Sequence, residues 1–156
     1  MHPPFHHLYY ATNTTADLFA PANLQIDIQD TGLEDASYDL IICHQVLEHV
    51  TGYKRALHEL RRILSPGGKL IISFPVDPSL ETVYEDSSVT TKEGRLEHFG
   101  EDDHLRVFGR DSADILRSFG FEVAEIRGED CDPKIKPVVG PGDYDSNVLW
   151  CLSKST

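Results

Sequence analysis

The alternation of apolar and polar positions divides this chain into short blocks that predict strands and helices in turn. Tyr38 to Cys43 is a nearly continuous apolar run, the pattern of a strand covered on both faces. From Tyr53 to Leu64 the period changes. Ala56, Leu57, Leu60, Ile63 and Leu64 share one helical face, and Lys54, Arg55, Glu59, Arg61 and Arg62 share the other. Pro66, Gly67 and Gly68 then stop the helix and turn the chain sharply, and Lys69 to Phe74 makes a second apolar strand. Strand, helix and strand in this order form a parallel crossover, which presents ligands at the carboxyl ends of its strands. Cys43 to His49 is therefore expected to border a ligand crevice.

Elsewhere the pattern predicts a short strand at Leu8 to Ala11 and an edge or near-edge strand at Asn23 to Asp27. Thr90 to His98 reads as a short helix capped by Thr90 or Thr91. Asp111 to Phe119 reads as a second helix ended by Gly120. Phe121 to Ile126 and Asn147 to Ser153 read as strands, joined by an exposed connection rich in glycine and proline. Val76 to Gly109 is polar and acidic without clear period, which marks a functional or partly structured loop. With 156 residues, the chain is expected to form one domain over 1–156.

Composition narrows the partners. A formal net charge of −12 argues against nucleic acid, because phosphate binding needs basic surface. No apolar run reaches membrane-spanning length and the N-terminus has no signal-peptide core, so no membrane partner and a cytoplasmic location are expected. Cys43, Cys131 and Cys151 form no CxxC pair and read as reduced thiols. No phosphate loop of GxxxxGK type is present. His2, His6 and His7 are not anchored by a fold, and no metal site is expected there.

Two blocks carry a family resemblance. Tyr38-Asp-Leu-Ile-Ile-Cys-His-Gln-Val-Leu-Glu-His-Val50 followed by Arg55-Ala-Leu-His-Glu-Leu-Arg-Arg-Ile-Leu-Ser-Pro-Gly-Gly-Lys-Leu70 resembles class I S-adenosylmethionine-dependent methyltransferases. In that family a "FDxI…xxVLEH" strand end leads through a helix to "LRRxLxPGGxL". Gly120-Phe-Glu-Val123 fits the strand before the family's terminal antiparallel hairpin. The resemblance spans about residues 8–154 and implies a Rossmann-like α/β fold with strand order 3-2-1-4-5-7-6. The family's first strand and glycine-rich turn have no counterpart here, so the expected domain lacks its first strand. Removing that central strand leaves an open sheet edge. Strand Leu8 to Ala11 slides over to pair with Tyr38 to Cys43, or a second copy covers the edge, or the N-terminal region lies outside this sequence; association through the edge is the expectation.

The resemblance also implies S-adenosyl-L-methionine as cofactor and a small molecule as methyl acceptor. Asp17 matches the acidic residue that accepts the ribose hydroxyls; a turn-forming aspartate is the alternative. Asp27 with Ile28 matches the adenine-binding pair, with Asp30 as a competitor and Leu33 beside the same pocket. Cys43, His44 and Gln45 would meet the cofactor through backbone groups, and the His44 side chain would face the substrate; alternatively His44 caps a short helix over Val46 to Val50. Leu47, Glu48 and His49 read as structural, with Glu48 at that helix's start.

Arg95 to Arg106 gathers His98, Glu101, Asp102, Asp103 and His104 at spacings that match no zinc pattern, so a solvated acidic loop with no metal is expected. A related "HFGxxDHxRxYG" run in part of the family makes His98, Asp103 and His104 substrate-side candidates. His44 and His104 are the candidate bases, because imidazole titrates near neutrality. A catalytically silent remnant of the fold that binds partners is the alternative function.

Overall fold

In the computed structural model, which describes residues 14–127 and 148–155, two short parallel strands come first: β1 (Ala16–Asp17) and β2 (Leu24–Gln25). The crossover follows as the pattern predicts. Strand β3 (Tyr38–His44) runs parallel to β4 (Leu64–Ser73), with helix α1 (Tyr53–Ile63) between them. The polar stretch after Val76 holds more structure than its composition suggests. It contains β5 (Tyr84–Glu85), α2 (Lys92–Phe99) and β6 (Arg106–Val107), with β5 and β6 paired antiparallel. Helix α3 (Ser112–Ser118), β7 (Phe121–Arg127) and β8 (Val148–Lys154) complete the order. The expected strand Leu8 to Ala11, most of the expected connection and Cys131 lie outside the described residues.

The main sheet has the order β3-β4-β8-β7. Strand β8 is antiparallel to both β4 and β7, so β3, β4 and β7 share a direction and β8 opposes them. This is the 4-5-7-6 half of the expected order.

Two local expectations change. The helix yields to strand at once at Leu64, whose ψ is 131°, while Leu64 N–H still bonds to the Leu60 carbonyl. Pro66 explains the abrupt end, because proline pushes the residue before it out of helical conformation. Ser65 to Gly68 then run within β4 rather than reversing the chain. Tyr38 pairs with Leu64 but Leu40 pairs with Lys69, so β4 bulges against β3. Gly67 takes φ +77° in the bulge, and a Cβ on Gly68 would sit 3.0 Å from the carbonyl oxygens of Asp39 and Ser65.

One sheet face builds the core. Cys43, Leu70, Ile72, Val148, Trp150 and Leu152 are buried there with Ala56, Leu57 and Leu60 of α1 and Leu116 of α3. Each large apolar side chain contributes about 1.5–3 kcal/mol of transfer free energy. Phe74 stacks on Trp150 at 4.6 Å and lies tilted against Phe108 at 3.9 Å between ring centroids. The other face differs from expectation. Alternation points Leu40 and Ile42 away from Cys43, and they remain 55% and 67% exposed. Among the described residues β3 pairs with β4 alone, so this strand is an edge and is covered on one face only.

A polar clamp fixes the chain before β3. Glu59 Oε1 accepts hydrogen bonds from the Thr31 backbone N–H at 3.0 Å and its hydroxyl at 2.7 Å. Arg62 grips the same carboxylate through Nε and Nη2 and reaches Asp35 through Nη1. The Arg62 guanidinium, then Thr31, hold the Glu59 carboxyl down from 4.5 to about 2. A depressed native value means stabilisation that is full above the unfolded value and lost as pH falls through the native one. Acid unfolding should therefore show a shallower loss of stability between pH 4.5 and 2 in Glu59→Gln than in the parent chain.

Candidate active site

Three candidates meet where β3 and β4 end. Cys43 is buried, His44 is exposed and Gln45 leaves the strand with φ +52°. The Gln45 N–H donates to the Ser73 carbonyl at 2.9 Å, continuing the ladder one residue past β3. His44 Nδ1 lies 2.5 Å from Ser73 Oγ, and Gln45 Nε2 donates to the same hydroxyl at 3.5 Å. Ser73 is buried and locks the imidazole by its inner nitrogen, leaving Nε2 for another partner. A left-handed non-glycine residue costs on the order of 1–3 kcal/mol, and such residues concentrate at functional sites. Burial, then the charge of Glu48, pushes the Cys43 thiol up to about 12, so it is no nucleophile near neutrality. Sequence reasoning missed Ser73; its signal is a lone hydroxyl closing an apolar strand.

Asp17 and Asp27 sit at the same end of a second parallel pair. Asp17 closes β1, Asp27 follows β2, and the Ile26 N–H bonds to the Asp17 carbonyl at 3.0 Å. Asp17 is an exposed residue of the β1 strand itself. Its Oδ1 accepts the N–H groups of Ala20 at 2.6 Å and Phe19 at 2.7 Å, which hold its carboxyl below the usual range. Asp27 Oδ1 accepts the Gln29 N–H at 2.8 Å, and the Gln29 side-chain amide reaches both its oxygens. Asp30 bridges back to Asp27, Ile28 packs against the core and Leu33 is half-buried. Gln29 Oε1 accepts the Gly52 N–H at 2.8 Å, so the Asp27 turn is tied to the start of α1.

The segment after Gln45 corrects two expectations. Val46 to Val50 is a turn rather than a helix, so neither His44 nor Glu48 has a helix end to cap. Arg106 explains the geometry. Its Nη1 donates to the carbonyls of Leu47 and Val50, its Nη2 to that of Thr51 at 3.2 Å, and its Nε to Glu85 at 2.6 Å. Those carbonyls satisfy a buried guanidinium instead of a helical ladder. Glu48 is 1% exposed, and neither carboxylate oxygen has a hydrogen-bond partner among the described residues. Burial pushes its carboxyl up to about 6.

The acidic stretch is also more ordered than a solvated loop. Thr91 caps α2 by accepting the Gly94 N–H at 3.1 Å, and Leu105 N–H donates to the Glu48 carbonyl at 2.9 Å. His104 is half-buried, with its ring 4.8 Å from that of His49; burial and then the His49 charge lower its affinity for a proton. Asp103 lies beside His49, at 3.4 Å from Nδ1. His98 is exposed and pairs instead with the Tyr84 hydroxyl at 2.8 Å. The three substrate-side candidates thus divide, with Asp103 and His104 at His49 and His98 at Tyr84.

Known proteins match this arrangement. A methyltransferase-domain family model matches residues 8–72. An uncharacterized 37.1 kDa protein in a Streptomyces fradiae transposon is 37% identical over 102 residues, 64% of this chain and 29% of that protein. An uncharacterized protein of Methanocaldococcus jannaschii is 37% identical over 87 residues, 54% of this chain and 38% of its own length. The chain spans well under half the length of these curated relatives. Among solved structures, 1,6-didemethyltoxoflavin-N1-methyltransferase of Burkholderia thailandensis shares the fold with a TM-score of 0.55 at 16% identity, over 90% of this chain and 60% of its own. The [4+2]-cyclase SpnF shares it with a TM-score of 0.54 at 16% identity, over 83% and 55%. These matches make the chain similar to methyltransferase domains and show that it shares their fold. The cyclase is a reminder that this fold alone does not dictate the reaction.

Proposed function

We propose that this chain binds S-adenosyl-L-methionine and transfers its methyl group to a small-molecule acceptor. One observation carries the reading: two parallel strand pairs, β1/β2 and β3/β4, end in Asp17 with Asp27 and in His44 with Gln45 and Ser73. The donor set suits such a group. Asp17 is an exposed carboxylate held ionised by its own turn, a form that accepts hydrogen bonds from sugar hydroxyls without donating any. Asp27 and the Ile28 N–H would take the adenine edge, and backbone groups of Cys43 to Gln45 the remainder.

When bound, S-adenosylmethionine supplies an electrophilic methyl on a sulfonium. The chain's task is then to position the acceptor and, where its nucleophile carries a proton, to remove it. His44 suits that role because Ser73 fixes Nδ1, and Nε2 has no hydrogen-bond partner among the described residues. His104 is the second candidate base, since burial favours its neutral, proton-accepting form.

Calorimetric titration with S-adenosylmethionine and S-adenosylhomocysteine tests the reading. Saturable binding, weakened about tenfold or more by Asp17→Ala through loss of a charged hydrogen bond, is the expected outcome. No heat at millimolar ligand would instead favour a silent remnant of the fold.

A further inference from the structure

We propose that Glu48, His49 and His104 form a binding site for one divalent transition-metal ion that needs no adenosyl ligand to bind, with His104 then a metal ligand rather than a base. One ligand atom from each of the three lies within 4.8 Å of the others, and Glu48 Oε1 is 4.0 Å from His49 Nε2. Zinc and its neighbours bind such nitrogens and oxygens at about 2.0–2.2 Å, so neighbouring ligands stand roughly 3–3.5 Å apart. His49 is a third exposed and His104 is partly exposed, which leaves both rings room to turn toward Glu48.

A second observation points to a cation. Both Glu48 oxygens are buried without a hydrogen-bond donor among the described residues, where a carboxylate ordinarily has its lone pairs satisfied. A metal ion would satisfy them. Arg106 does not take that role, because its nitrogens are engaged by Glu85 and by the carbonyls of Leu47, Val50 and Thr51. Its positive charge opposes a cation, but Glu48, Glu85 and Asp103 outnumber it nearby.

The surroundings also match what metal histidines require. A ligating imidazole usually presents its other nitrogen to a carboxylate, which fixes the ring. Asp103 lies 3.4 Å from His49 Nδ1 and leaves Nε2 turned toward Glu48. The two legs of the site are joined by backbone, since Leu105 N–H donates to the Glu48 carbonyl. Two imidazoles and one carboxylate leave a fourth position open, the pattern of zinc sites that keep a water or exogenous oxygen ligand. Sequence spacing hid this site because Glu48–His49 and His104 come from loops far apart in the chain.

The test uses the full chain carrying His2→Ser, His6→Ser and His7→Ser, which removes the competing N-terminal imidazoles. Titration with Co2+, followed by its visible absorption, and with Zn2+ by calorimetry should show one equivalent bound with no adenosyl ligand present. His49→Ala and His104→Ala should each weaken binding about tenfold or more, and Asp103→Asn by a smaller factor. Both histidines are partly exposed, and circular dichroism confirms that each variant folds. Absence of binding at millimolar metal, or binding unchanged in both histidine variants, would overturn the proposal. Neither result bears on the adenosyl titration, so the two readings fail separately.

Discussion

Arg106→Ala is expected to cost about 3–5 kcal/mol of stability, as removal of one partner from a buried charged network does. Arg106 is 2% exposed and reaches four acceptors on two segments of chain. Without it, the carbonyls of Leu47, Val50 and Thr51 lose their donors, at about 1–3 kcal/mol for each that stays buried. The Tyr53 ring, 4.9 Å from the guanidinium carbon, loses its cation as well. Glu85 is 40% exposed and resolvates, which limits the total. Arg106→Lys should recover only part of the loss, because an ammonium does not reproduce the planar fork. Urea unfolding checks both variants. A midpoint within error of the parent's would show that the turn after β3 holds itself.

Phe74→Ala should cost a comparable amount, about 3–5 kcal/mol, as truncation of a buried aromatic does. Phe74 is 1% exposed and lies between Phe108 and Trp150, so its loss opens a cavity bounded by two rings. The readout is built in, since Trp150 is the sole tryptophan and is itself 3% exposed. Its emission should shift to the red in the variant, alongside a lower urea midpoint. Phe74 follows Ser73 directly, so the variant should also loosen the hydroxyl that holds His44. Unchanged emission together with an unchanged midpoint would contradict this packing.

The sequence carried the fold where one physical signal dominated. The period of Ala56, Leu57, Leu60 and Ile63 marked α1, and the apolar runs marked β3 and β4, because burial on a regular lattice leaves a repeat. Burial of Tyr38 to Cys43 on both faces was overstated. An apolar run records which residues prefer cover, and no described element covers Leu40 and Ile42. The bulge at Ser65 to Gly68 read as a turn, since glycine and proline signal irregular backbone without saying which kind.

The candidate site was legible residue by residue but not as an assembly. His44 and Gln45 follow from strand polarity, whereas Ser73 carries no motif of its own. Arg106 looked like one more surface charge in an acidic stretch. Its burial, and with it the turn that places Glu48 and His49, depends on contacts from β6 back to the chain after β3. Such long-range hydrogen bonds leave no local period to read.

Amide spectra of the isotope-labelled chain, titrated with S-adenosylhomocysteine, probe most directly where an adenosyl ligand would sit. The account predicts that the largest displacements fall on Asp17, on Asp27 and Ile28, and on His44 and Gln45. Displacements centred on α3 and β7, or none at saturating ligand, would contradict it.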